Sequence, residues 1–160
     1  MQMKGNRAVI AMAYASTRNS IEDHSIALRE LVEHLPDKPR LSFVGHSLGN
    51  IVLRYAIQDW QTSGDPQQVL NRFQRVVMLG PPNQGSSFAR SLANLPVFTT
   101  LTGSTGQHLG PAWETVHSRL ATPNCPFAIV AGDITSSTMT NPWLIGPNDG
   151  VVTVEETHLE

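Results

Sequence analysis

The chain has little of several features that assign a sequence to a special class of protein. It has a single cysteine, Cys125, among 160 residues, so no disulfide can form within the chain. Its 11 Lys and Arg residues stand against 13 Asp and Glu residues. Without a basic excess or a basic run, nucleic acid is not an expected partner. No apolar stretch approaches the roughly 20 residues that span a membrane.

Cofactor patterns are missing as well. The Cys and His residues do not have the spacing of a zinc site, and no cluster of acids indicates calcium. We therefore expect neither a metal nor another cofactor. The first seven residues do not have the pattern of a signal peptide. A chain of this length suffices for one domain with its own core, so residues 1–160 are expected to form a single domain.

Short apolar runs alternate with helical patterns along the chain. The runs predict strands at 8–13, 41–44, 76–79, 127–131 and 151–154. One helix is predicted to begin near Ser20, which can cap it together with Asp23. A second helix is predicted from about Leu48 to Gln61. This alternation is typical of an α/β protein, a three-layer sandwich in which helices cover both faces of a mostly parallel sheet.

The most informative segment is Gly45-His46-Ser47-Leu48-Gly49, which has the form Gly-x-Ser-x-Gly. It lies between a predicted strand and a predicted helix. That is the setting of a nucleophile elbow, in which a serine hydroxyl projects from a sharp turn. Glycines are expected beside the serine because the turn leaves no room for side chains and because glycine tolerates unusual backbone angles. The alternative interpretation is a glycine turn with a catalytically idle serine.

Several polar residues follow the predicted strands. They are Ser47, the loop 81–86, Asp133 and Asp149. Ligands of parallel sheets bind at the carboxyl ends of the strands, so we expect these residues to share one rim. Residues 96–110 are rich in Thr, Gly and Ser and are expected to form a loop or a small lid over that rim.

Three motifs in this order resemble the α/β-hydrolase superfamily, in particular its lipases and serine esterases. The first is the elbow motif. The second is the loop Leu-Gly-Pro-Pro-Asn-Gln-Gly-Ser at 79–86, and the third is Asn-Asp-Gly-Val-Val at 148–152, which resembles the loop of the catalytic acid. The resemblance implies an α/β-hydrolase fold and hydrolysis of carboxylic acyl esters, including lipids, by a Ser–Asp–His mechanism.

The resemblance also implies individual roles. Ser47 is the expected nucleophile, Asp149 the orienting acid, and the backbone N–H of Leu48 a donor to the oxyanion. Candidates for substrate contact are His46, Pro82 and Gln84. The histidine is expected to pack beside the turn with its side chain pointing away from the serine.

The assignment of the acid has alternatives. Asn-Asp-Gly is a common turn in which the aspartate bonds its own backbone, so Asp149 could be purely structural. Asp133, which follows a predicted strand directly, is then the other candidate acid. Position 50, where lipases commonly have a second glycine after the elbow, is Asn50. We expect this difference to be minor because the residue already lies in the helix.

Two departures from the superfamily pattern concern the active site more directly. No His-Gly dipeptide precedes the elbow, although that loop usually gives the second oxyanion donor. Only His158 follows Asp149, nearer to the acid than the catalytic histidine of relatives. We therefore expect the chain to be a fragment that lacks an amino-terminal strand and a carboxyl-terminal strand with the histidine, and His158 is the alternative base. The second functional hypothesis is a catalytically impaired hydrolase that only binds ligand.

Overall fold

The computed structural model describes residues 8–13, 19–87, 113–134, 141 and 144–159. In chain order its elements are α1 (Ile21–Glu33), β1 (Leu41–His46), α2 (Leu48–Thr62), β2 (Phe73–Leu79), α3 (Trp113–His117) and β3 (Phe127–Val130). Short 3₁₀ helices cover Leu70–Arg72 and Glu155–Thr157. None of the helices in these ranges is long and apolar enough to cross a membrane. The predicted lid at 96–110 lies outside the described residues.

The strands form a parallel sheet in the order β1-β2-β3. His46 pairs with Leu79, and Leu79 pairs with Val130, so the last residues of the three strands lie side by side. The α/β prediction is therefore confirmed. The register also places the loops that follow the three strands at one edge of the sheet, which is where such folds bind ligands.

The main core lies between α2 and one face of the sheet. Ile57 and Trp60 of α2 pack with Val76 and Met78 of β2, and none of these four side chains is more than 1% exposed. On its other side α2 contacts α1, where the indole N–H of Trp60 donates to Glu33 Oε1 at 2.7 Å. The elbow helix is thus fixed from two sides.

The start of α1 confirms the predicted capping box. The Asp23 N–H donates to Ser20 Oγ at 3.1 Å, and the Ser20 N–H donates to Asp23 Oδ2 at 3.0 Å. These bonds satisfy two of the amide groups that a helix start leaves without intrahelical partners. The backbone hydrogen bond from Ser20 lowers the pKa of the Asp23 carboxyl.

The opposite face of the sheet is open in the described part of the chain. Val44 of β1 is 72% exposed and Val130 of β3 is 53% exposed. The helices described here cover one face, whereas the apolar runs predicted strands buried on both. An apolar run shows that a strand can be buried, but it does not show which neighbours bury it.

Two predicted strands are wrong. Residues 8–13 form no strand, and Val9 is 94% exposed. An apolar run becomes a strand only where a neighbouring strand completes its hydrogen bonds. Among the described strands β1 pairs only with β2, so residues 8–13 do not pair with the sheet. Residues 151–154 form turns with an isolated bridge between Asn148 and Thr153. The reason is that the Asp149 carboxylate accepts the N–H groups of Val151 and Val152, which a sheet would need.

Candidate active site

Ser47 alone makes the turn from β1 to α2, because the strand ends at His46 and the helix begins at Leu48. Its backbone angles are φ 48° and ψ −124°. A positive φ is uncommon for a residue other than glycine, and such strain costs about 1–3 kcal/mol. A strained serine between a strand and a helix is the geometry of a nucleophile elbow. The serine side chain makes no capping hydrogen bond to α2, so closing the helix does not occupy the hydroxyl.

Gly45 has a different role from the one expected. Neither Gly45 nor Gly49 has a positive φ, so the prediction that the glycines adopt the unusual backbone angles is wrong, and the serine adopts them instead. The prediction of missing space is confirmed at Gly45. A methyl group there would overlap the side-chain amide of Asn50 and lie 3.3 Å from its Cα.

The backbone N–H of Leu48 lies at the first position of α2. Leu48 is 7% exposed. The first N–H groups of a helix have no partner inside it, and the helix start carries a partial positive charge. This position suits a donor to a developing oxyanion, although that role stays a prediction.

Asp149 lies against the carboxyl ends of β2 and β3. A methyl group on Gly80 would be 3.1 Å from Asp149 Oδ2, and one on Gly132 would be 2.9 Å from Asp149 Cβ. Gly80 follows Leu79, whose carbonyl accepts the Ser47 N–H at 2.9 Å. The structure therefore places the predicted nucleophile and the predicted acid at the same edge of the sheet.

The two carboxylate oxygens of Asp149 have different surroundings. Oδ1 accepts the N–H groups of Val151 at 2.9 Å and Val152 at 2.8 Å, which is the local turn that the sequence allowed as the structural alternative. Oδ2 faces Gly80 and accepts no hydrogen bond from any described residue. A carboxylate fixed through one oxygen keeps the other for a partner, so the turn and an orienting role are compatible.

No described histidine hydrogen-bonds to Ser47 or Asp149. His46 is exposed at the end of β1, and His158 is exposed after the last 3₁₀ helix. His24 is buried within α1, where desolvation lowers its pKa. The structure therefore places Ser47 and Asp149 at one edge of the sheet, and the triad with His158 as the base stays a prediction.

The loop after β2 is attached to α2 through a buried arginine. Arg54 is 4% exposed; its Nε donates to the Ala121 carbonyl and its Nη1 to Asn83 Oδ1, both at 3.0 Å. The Asn83 amide in turn donates to the Thr157 carbonyl at 2.8 Å. Burial lowers the pKa of Arg54 to about 10, so the side chain is still a cation at neutral pH. None of the sequence motifs includes this arginine, although one charge within an apolar helix face was a visible signal.

The loop after β2 also forms hydrogen bonds to the segment that follows Asp149. The Gln84 N–H donates to the Glu156 carbonyl at 2.9 Å, and its side chain donates to the His158 carbonyl at 3.3 Å. Pro82 is fully buried. In this structure both residues therefore contact the protein itself, and their contact with substrate stays a prediction. Asp133, the alternative acid, is exposed.

Asn50 contributes more than the expected minor difference. It is 0% exposed, and its side-chain amide donates to the carbonyls of Ser47 at 3.0 Å and Leu79 at 3.3 Å. The sequence shows only that this residue replaces a glycine. Its contact with β2 depends on the closeness of two strand ends, which local sequence does not reveal.

Comparison with known proteins agrees with the fold of this chain and gives its family. The sequence profile of the family described as "Putative serine esterase (DUF676)" matches residues 22–117, more than half of the chain. The crystal structure of the mature Bacillus licheniformis lipase BlEst2 is similar in fold, with a TM-score of 0.65 and 16% identity. The similarity covers 87% of this chain and 62% of the lipase chain, so this chain spans less than two thirds of the lipase. Curated proteins give no match.

We expect Arg54→Lys to destabilise the fold by roughly 1–3 kcal/mol, because an ammonium group cannot replace the forked donors and leaves a buried acceptor without a partner. The measurement is urea unfolding followed by circular dichroism. Arg119→Lys is the matched control: its guanidinium is half-exposed and pairs with Glu22 at 3.5 Å, so the change should be below about 1 kcal/mol. Equal effects of the two substitutions would contradict a special role for the buried arginine.

Proposed function

This chain belongs to the serine esterase family DUF676 and has an α/β-hydrolase fold, and on this basis we propose that it hydrolyses carboxylic esters with Ser47 as the nucleophile. The observation that carries the proposal is the backbone of Ser47, with φ 48° at the junction of β1 and α2. A glycine turn with an idle serine has no physical reason to place the strain on the serine, since glycine relieves it. Backbone strain that the surrounding structure maintains, as in the combination of φ 48° with ψ −124° at Ser47, is typical of functional sites.

The proposed chemistry is acyl transfer in two steps. A base takes the proton from Ser47 Oγ while the oxygen attacks the ester carbonyl carbon, and the resulting tetrahedral oxyanion accepts a hydrogen bond from the N–H of Leu48. The carbonyl re-forms, the alkoxide leaves with the proton, and an acyl-enzyme remains. In the second step a water molecule, deprotonated by the same base, attacks the acyl-enzyme carbonyl. The bond to Ser47 Oγ breaks, the serine regains its proton, and the carboxylic acid product leaves.

In this mechanism Asp149 orients the base. Its Oδ1 is fixed by two backbone N–H groups, so Oδ2 is the oxygen that would accept a hydrogen bond from the imidazole. That bond selects the tautomer whose other nitrogen faces the serine, and it stabilises the imidazolium that forms. His158 is the candidate base in this chain. The substrate is a small acyl ester or a lipid.

The second candidate function is binding of an acyl ligand without cleavage, by a protein that keeps the hydrolase fold. It is favoured by one observation: Asp149 forms no hydrogen bond to any described histidine. The two hypotheses differ in whether the Ser47 hydroxyl is activated.

Ser47→Ala should abolish both labelling by a fluorophosphonate probe and hydrolysis of p-nitrophenyl acetate, because the attacking oxygen is removed. The expected loss of hydrolysis is about 10³-fold or more. Ser63→Ala, which removes an exposed hydroxyl at the other end of α2, should leave both unchanged. If the unmodified chain neither reacts with the probe nor hydrolyses the ester, the binding hypothesis replaces the esterase.

Asp149→Asn should lower kcat by about 10³-fold or more, since the amide keeps the shape but no longer orients and balances a cationic base. The turn should survive because the amide oxygen can still accept the two backbone N–H groups. Asp133→Asn is the control and should keep full activity. A loss caused by the control substitution instead would assign the acid to Asp133.

His158→Ala tests the base in the same ester assay. If His158 is the base, kcat falls as far as in Ser47→Ala, because the members of a triad act as a unit. His34→Ala, which changes an exposed histidine at the end of α1, should leave kcat unchanged. Activity retained by His158→Ala would exclude His158 and leave another residue as the base.

A further inference from the structure

We propose that Asn50 is a positioning residue for the oxyanion site. Its side-chain amide donates a hydrogen bond to the Ser47 carbonyl and thereby fixes the direction of the Leu48 N–H. The catalytic consequence rests on the proposed function, whereas the structural part does not. The residues that would set this direction surround one peptide unit, the one that joins Ser47 to Leu48.

The Ser47 carbonyl accepts two hydrogen bonds from the same residue. One comes from the Asn50 backbone N–H at 3.1 Å and the other from its side-chain Nδ2 at 3.0 Å. A peptide unit is planar and trans, so its C=O and N–H point in opposite directions and turn together. Two donors that fix the Ser47 carbonyl therefore also fix the direction of the Leu48 N–H.

The same amide ties this peptide to the neighbouring strand. Asn50 Nδ2 also donates to the Leu79 carbonyl at 3.3 Å, which accepts the Ser47 N–H at 2.9 Å as well. Both sides of the strained serine are thus joined to the end of β2. Because Asn50 is bonded to both carbonyls, it resists any rotation of the elbow away from the sheet.

The environment determines the orientation of the amide. Asn50 is 0% exposed, and its Oδ1 is buried without a hydrogen-bond partner among the described residues. Turning the amide over would place Oδ1 against two carbonyl oxygens and lose both donors. A buried acceptor without a partner lowers stability, and proteins keep such arrangements mainly where function requires them.

Gly45 makes this arrangement possible. A methyl group on Gly45 would overlap the Asn50 side-chain amide. The first glycine of the elbow motif therefore provides the space in which Asn50 approaches the strand, and the two residues form one structural unit. An ordinary core residue would not need its donor groups, and this difference defines the test.

The test compares Asn50→Asp, which keeps the shape but loses the amide donor, with Asn50→Ala, which loses both. Labelling of Ser47 by a fluorophosphonate probe is measured per folded protein at about pH 9, because burial raises the pKa of an introduced carboxyl. Both variants should react at least about 10-fold more slowly, since a misdirected oxyanion donor loses much of its effect. In ester hydrolysis, kcat should fall with little change in KM.

Ile57→Val is the matched control. Ile57 is a fully buried residue of the same helix that packs in the main core, ten residues after Ser47 in sequence, so this substitution should lower thermal stability but leave the labelling rate of the folded protein unchanged. Asn50→Asp labelled at the unmodified rate would overturn the proposal, because the side chain would then act only through its volume.

A second measurement separates this proposal from the proposed function. If the unmodified chain is not labelled at all, the esterase proposal fails, but hydrogen exchange still tests Asn50. In Asn50→Ala, the Ser47 N–H should exchange at least about 10-fold faster, while the Ser63 N–H, bonded to Asp59 at the far end of α2, should not change. Unchanged protection of the Ser47 N–H would overturn the positioning role in either case.

Discussion

The carbonyl of Leu79 is the point on which the elbow depends. It is the last residue of β2, and it accepts the Ser47 N–H at 2.9 Å and the Asn50 amide at 3.3 Å. These bonds attach a strained turn to a strand that is itself paired on both sides. Strain of about 1–3 kcal/mol at one residue persists only if its surroundings resist relaxation. The hydrogen bonds to the neighbouring strand end provide that resistance. The packing of α2 against the sheet also holds the helix that follows the turn in place.

The predicted acid, Asp149, is attached by a different set of contacts. Asp149 meets the sheet edge through two glycines, Gly80 and Gly132, whose missing side chains leave space for it. Its loop is joined to the rest of the chain by the buried link from Arg54 through Asn83 to Thr157. Buried polar links contribute little net stability but permit few alternative arrangements. The relative position of α2 and the Asp149 loop is therefore set by polar contacts at the edge of the core.

The sequence predicted the features that depend on local chemistry. The capping box at Ser20, the extent of α2 and the strand-turn-helix order around Ser47 all follow from short patterns, and the structure confirms them. The residue that adopts the positive φ, the burial of Asn50 and the link from Arg54 depend on which strand ends lie side by side, so no local pattern contains them. The two wrong strands fail for the same reason. An apolar run such as 8–13 requires a partner, and the valines after Asp149 lose their free N–H groups to its carboxylate.

The turn at Asp149 shows why structural and catalytic interpretations of one residue need not compete. The sequence set the Asn-Asp-Gly turn against the role of orienting acid. In the structure, one oxygen makes the turn and the other faces the sheet edge beside Gly80. A catalytic acid must hold its second oxygen still while a proton moves nearby, and a turn that binds the first oxygen with two N–H groups does this without another side chain. The local bonds that made Asp149 look ordinary are thus the bonds that would make it an effective acid.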